Sequence, residues 1–132
     1  MRLRRDGAWS LLRGADHGVL ATVHAERGVD AVPVVYAVDG ERILLPVDTV
    51  KPKATTRLQR LENLAHDPRC VLLVDHYDED WSQLWWVRVH GTATVVDGGD
   101  PALARFPPYR DAGAVTATIV LTPGAVTGWR AG

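Results

Sequence analysis

The chain has 132 residues, 46% hydrophobic and 23% charged, with a formal net charge of −1. That length suits one domain, residues 1–132, with a real core, and is too short for two. The near-neutral balance weighs against charge-driven binding to nucleic acid or an anionic membrane, and no run approaches the ~20 apolar residues of a membrane helix.

The first residues, MRLRRDGAWSLLRG, are basic but lack a long apolar stretch and a small-residue cleavage site. They do not read as a signal peptide, so a cytoplasmic protein is expected. Ala8 to Leu12 forms a short predicted helix ended near Gly14. Three strands follow. Val19 to His24 alternates, Ala31 to Val38 is apolar on both faces, and Arg42 to Val47 is joined to it by Asp39-Gly40, a two-residue hairpin signal. Pro33 places the second strand at a sheet edge or a bulge.

The one long predicted helix begins after Pro52, carries Ala54, Leu58, Leu61 and Ala65 as an apolar stripe, and stops at Asp67-Pro68. CVLLVDHY is a buried strand, opened by Cys70, the single cysteine, which reads as a small core residue. An acidic loop, DEDWSQ, leads to a long strand, LWWVRVHGTATVV, with Gly91 as a bulge or bend. A short proline-broken segment precedes VTATIVLTPGAVTGW, a last strand with a turn expected at Pro123-Gly124. Six strands, one inserted helix and few βαβ alternations predict a mainly β fold with inserted helices, an antiparallel sheet or barrel.

Only two of the 15 basic residues are lysines, Lys51 and Lys53, and both flank Pro52. On a helical wheel Lys53, Thr56, Arg57 and Arg60 share about one third of the circumference. With a helix N-terminus beside them they would hold a phosphate or carboxylate; equally, they would form a solvated cationic face. Trp85 and Trp86 fall on opposite faces of a strand, so one face is core and the other is covered either by more core, by a planar ligand or by a second subunit. The residues Asp75, His76, Asp78, Glu79 and Asp80 lack an organised ligand spacing, and no metal is assigned. Neither a nucleophile elbow, a P-loop, GxGxxG nor HExxH occurs. A reaction here would therefore be carried by a cofactor.

GVLATV, DAVPVVYAVDG, RILLPVD and the stretch KPKATTRLQRLENLAHDPRCVLLVDHYDEDWSQLWWVRVHGTA together resemble the split β-barrel oxidoreductases of the pyridoxamine 5'-phosphate oxidase-like family, within them the branch using the deazaflavin coenzyme F420. The resemblance implies a homodimer of six-stranded antiparallel split β-barrels, with a cofactor cleft at each end of the interface. It implies that the backbone of Pro33, Val34 and Val35 lies against the cofactor ring. Arg60 and Asn63 match positions that meet the phosphate and tail, with Lys51, Lys53 and Arg57 on the approach. Trp85 and Trp86 match the place where the partner subunit closes over the ring. The segment LARFPPYRDAGAV departs from the family's pattern, and no contact is carried over from it. The implied activity is hydride transfer between reduced F420 and a small conjugated acceptor. FMN in the same fold, or a carrier without turnover, are the alternatives; the cation count favours F420 with its phosphodiester and glutamate tail. Tyr36, His90 and solvent are the conceivable proton sources, and none is assigned.

Overall fold

A computed structural model describes residues 1–48, 58–111 and 113–132. Among them are two helices, α1 (Arg5–Gly14) and α2 (Gln59–His66), and seven strands. The strands are β1 (His17–His24), β2 (Gly28–Val35), β3 (Ala37–Asp39), β4 (Arg42–Asp48), β5 (Arg69–His76), β6 (Trp85–Asp97) and β7 (Val115–Arg130). They form one sheet in the order β2-β1-β5-β6-β7-β4-β3, every neighbouring pair antiparallel. This is the expected mainly β, antiparallel split-barrel architecture, with seven strands in place of six.

The seventh strand arises at Tyr36. The predicted strand from Ala31 to Val38 divides there: β2 pairs with β1 at one edge of the order, and β3 pairs with β4 at the other. A single residue thus joins the two edges, so the sheet must curl until they meet. Tyr36 is fully buried, its N–H donates to the Asp16 carbonyl (3.0 Å), and its hydroxyl donates to the Leu12 carbonyl (2.7 Å). Those two bonds satisfy the polar groups that the corner would otherwise strand in the core.

Three other local readings are refined. Gly40 has φ +60 and sits first between Asp39 and Arg42, which face each other, so the turn's central pair is Gly40-Glu41 and not Asp39-Gly40. Pro123-Gly124 is no turn: β7 runs through it, with Pro123 opposite Gly91, and the irregularity is absorbed as a register shift between Val89 and Gly91. Leu58 is extended (φ −93, ψ 135) and α2 starts at Gln59; the predicted helical stretch before Leu58 lies outside the described residues.

The barrel core is filled from alternate positions: Leu20, Ile43, Leu45, Leu72, Val74, Val87, Val89, Ile119 and Leu121, capped by Trp9 and Leu12 of α1. Cys70 joins this core, and burial pushes its thiol up to about 11. β4 is apolar on both faces because Leu44 points away from the barrel, into a smaller cluster with Ala37, Leu103 and Val115. That cluster docks the irregular segment, two short 3-10 turns at Pro101–Arg105 and Pro107–Tyr109, against the outside of β4. Among the described residues no helix is long and apolar enough to cross a membrane.

Candidate functional site

A cleft of about 400 Å³ opens where β2 and β4 come together. One wall is β2, from Val32 to Val35; the other is Pro46 and Asp48 of β4; Leu58 and Arg60 close one end, and His17, Gly18 and Tyr109 complete the lining. Among the described residues β2 is an edge strand bonded only to β1, so main-chain groups on its far side are not consumed by the described sheet. Pro33 fits that edge, where a missing N–H costs no ladder bond. Gly18 is required by crowding: a Cβ there would lie 2.4 Å from the Leu73 carbonyl oxygen.

Arg60 lines this space together with the carboxylate of Asp48. Its Nε is buried and has no hydrogen-bond partner among the described residues. Burial lowers its pKa, while the charge of Asp48 acts to raise it; a guanidinium stays protonated regardless. A donor left unpaired in this way costs about 1–3 kcal/mol, and more when charged. An anion in the cleft would supply the missing acceptor. Past Arg60 the space continues into a second hollow of about 310 Å³ that shares Val32, Leu58 and Arg60 and adds Thr22, Arg27, Asp30 and Gln59.

Across the cleft, the Tyr109 hydroxyl donates to Asp48 Oδ2 at 2.5 Å. Burial, then the bond to Asp48, pushes the phenol up to about 12, so it remains a neutral donor at any ordinary pH. The bond also pins the tip of the 3-10 segment to the end of β4, making that segment a fixed wall.

The expected site residues separate into groups. Pro33, Val34, Val35 and Arg60 meet in the one cleft. Asn63 does not line it. Asn63 is 2% exposed, its Nδ2 donates to Thr22 Oγ1 and to Asp30 Oδ2, both at 2.9 Å, and its Oδ1 accepts from Gln59 Nε2. With both donors engaged, Asn63 fastens α2 to β1 and β2 and so sets where Arg60 stands. Lys51, Lys53, Thr56 and Arg57 lie outside the described residues.

Trp85 and Trp86 take opposite faces, as their adjacency requires. Trp85 packs on the barrel core and stacks on His76, ring centroids 6.2 Å apart. Trp86 faces out with Arg88 over its ring at 5.2 Å. Neither lines the cleft within one chain. The same outward face carries Val19, Ala21 and Val23 of β1, Val71 and Leu73 of β5, and Val29 of β2. Val29 is 70% and Leu73 40% exposed, unusual for such side chains in a sheet.

Two conceivable proton donors drop away and one appears. Tyr36 is sealed in the core with its hydroxyl committed to Leu12. His90 lines a shallow hollow on the outward face and not the cleft. His17 lines the cleft, 2.7 Å from Asp16 through Nδ1. Sequence reasoning missed it, with Asp48 and Tyr109: His17 and Tyr109 lie far from the basic helix along the chain, and Asp48, just before it, belongs to no motif. Among the described residues no three or more His, Cys, Asp or Glu gather as a metal site.

The sequence profile of the family described as pyridoxamine 5'-phosphate oxidase matches residues 8–129. Among solved structures, an FAD-binding protein from Mesorhizobium loti superposes with a TM-score of 0.74 at 17% identity, covering 97% of this chain and 95% of that one. An FAD-binding protein from Mycobacterium smegmatis gives 0.65 at 20% identity, over 98% of each chain. A heme-binding protein from Mycobacterium smegmatis gives 0.69 at 23% identity, over 94% of this chain and 52% of that one. At these identities the likeness is one of fold.

Proposed function

The chain belongs to the pyridoxamine 5'-phosphate oxidase family, and from that premise we propose that it is an oxidoreductase holding a flavin-type redox cofactor between β2 and the start of α2. The observation that carries this is Arg60, a half-buried guanidinium whose Nε has no partner among the described residues, in the wall of a cleft whose other side is an edge strand. A phosphate at Arg60 and a planar ring along Pro33, Val34 and Val35 satisfy both features at once. Bound there, the cofactor would supply two-electron redox chemistry, for which no side chain of this protein is equipped.

The finer reading is coenzyme F420, with hydride passed to a small conjugated acceptor. Its support is the cation count: Lys51, Lys53 and Arg57 precede Arg60 within ten positions, Thr56 adds a hydroxyl, and a phosphodiester with a glutamate tail uses more cations than one terminal phosphate. The second reading, a flavin such as FMN, is favoured by the FAD-binding proteins of the same fold. The protein also acts as a homodimer on this reading, and as a single domain. A second copy seated on the outward apolar face would cover Val19, Leu73 and Trp86 and roof the adjoining cleft. The expected location is the cytoplasm.

Fluorescence titration of the purified protein with F420 and with FMN is the test. F420 binds more tightly on this account. The triple variant Lys51→Ala, Lys53→Ala, Arg60→Ala weakens it at least tenfold, on the order of 1.4 kcal/mol, and affinity falls as salt rises. Consumption of reduced cofactor with quinones, enones or tetrapyrroles separates an enzyme from a carrier.

A further inference from the structure

An acceptor that takes up a hydride must also take up a proton, and the four titratable groups that line the cleft among the described residues are not equal sources. Arg60 cannot give up a proton near neutrality. The Tyr109 proton is already shared with Asp48, and its phenol is too weak an acid at about 12. Asp48 spends an oxygen accepting that same bond. His17 remains, the one residue type here whose ordinary ionisation falls between pH 5 and 8.

Its placement fits the task. His17 is the register partner of Val35 in the β1–β2 pair, whereas Arg60 borders Val32. Three residues of extended strand separate Val32 from Val35, roughly 10 Å. His17 thus joins the cleft at the Val35 end of β2, and Arg60 lines both the cleft and the neighbouring hollow that reaches Val32. Asp16 fixes the tautomer: its pKa is lowered, first by the His17 hydrogen bond, so it is an acceptor, and the 2.7 Å contact requires the proton on Nδ1. Nε2 is then the atom free to serve the cleft. The other charges near the pair are Arg105, which donates to the Ala15 carbonyl and acts on Asp16, and Asp75, two residues beyond Leu73 on the neighbouring strand. His17 is 78% exposed in the single chain, so water can restore its proton.

We propose that His17, oriented by Asp16, is the general acid of this cleft, delivering the proton that accompanies hydride transfer. The inference rests on the redox reading given above. One atom of the acceptor's π bond gains the hydride and the other gains the electron pair of that bond together with the Nε2 proton. The hydride, two electrons and one proton, would be supplied by the reduced cofactor when bound, and the neutral imidazole recovers its proton from water. Asp16 is a positioning residue, acting through His17.

The experiment compares wild type, His17→Gln and Asp16→Asn by three readouts: F420 affinity, the His17 ring resonances during F420 titration, and steady-state reduction of menadione and 2-cyclohexen-1-one by reduced F420. His17→Gln identifies its own resonance by deleting it. The expected results are F420 affinity within twofold in all three proteins and a wild-type His17 resonance that moves on binding. For His17→Gln, kcat falls about 100-fold or more with loss of the basic limb of the pH profile; for Asp16→Asn the fall is smaller and that limb shifts. A His17 resonance indifferent to bound F420 overturns the proposal without any assay of turnover. So does a His17→Gln enzyme with unchanged kcat and pH profile. Wild type that binds neither F420 nor FMN overturns the underlying reading, and this proposal with it.

Discussion

Replacing Arg60 with Met should move stability and binding in opposite directions. Met is long, flexible and apolar, so it can follow the Arg60 stem past Leu58 without leaving a donor behind. The Nε of Arg60 has no hydrogen-bond partner among the described residues, and an unsatisfied donor costs about 1–3 kcal/mol when buried. Because Arg60 is only half-buried, the low end applies, and Arg60→Met is expected to gain about 1 kcal/mol, roughly 4 °C in Tm for a domain of this size. Ligand affinity should fall, since a charge-assisted bond to phosphate contributes about 1.5–3 kcal/mol, or on the order of 10- to 150-fold in Kd. Thermal melting of the ligand-free protein gives the first number and fluorescence titration the second. A variant with lower Tm and intact affinity would refute the reasoning, making Arg60 a structural residue.

Three further outcomes are expected. Asn63→Leu removes both donors to Thr22 and Asp30 from a buried site and should cost about 2–3 kcal/mol in urea unfolding; an unchanged midpoint would contradict the role given to Asn63. Gly18→Ala places a Cβ against the Leu73 carbonyl, so β1 must shift from β5 at a cost of about 1–3 kcal/mol, checked by the same unfolding measurement. Asp67, held by the Arg69 side chain and backbone N–H, has its pKa lowered from 3.8 to about 2; its folded form is the stronger acid, so its stabilisation is complete above pH 3.8 and is lost as pH falls toward 2. The urea midpoint should therefore drop across that window, with a shallower drop in Asp67→Asn.

Much of this architecture was legible because burial imposes a period. β1 alternates, β4 and β5 are apolar runs, Pro33 marks an edge and Gly91 a register shift, and all four follow from local rules. What stayed hidden depends on contacts distant in sequence. The division at Tyr36 needs the carbonyl groups of Leu12 and Asp16 to receive its polar groups. The extended Leu58 interrupts a stripe whose spacing looks helical, because the spacing reports burial and not the backbone angles at one residue. At the site, the β2 backbone was reached through resemblance and Arg60 already through its helical spacing, and they do share one cleft. His17, Asp48 and Tyr109 come from β1, β4 and a proline-broken segment. Only folding brings them together, although the juxtaposition of Asp16 and His17 was visible as a carboxylate beside an imidazole just before Gly18.

The most direct measurement is the fluorescence titration of the purified wild-type protein and of Arg60→Met with F420 and FMN at two salt concentrations. Saturable binding that favours F420, weakens with salt and falls at least tenfold in Arg60→Met is the predicted result. Binding of neither molecule, or binding that ignores both salt and Arg60, would contradict a phosphate-anchored redox cofactor in this cleft.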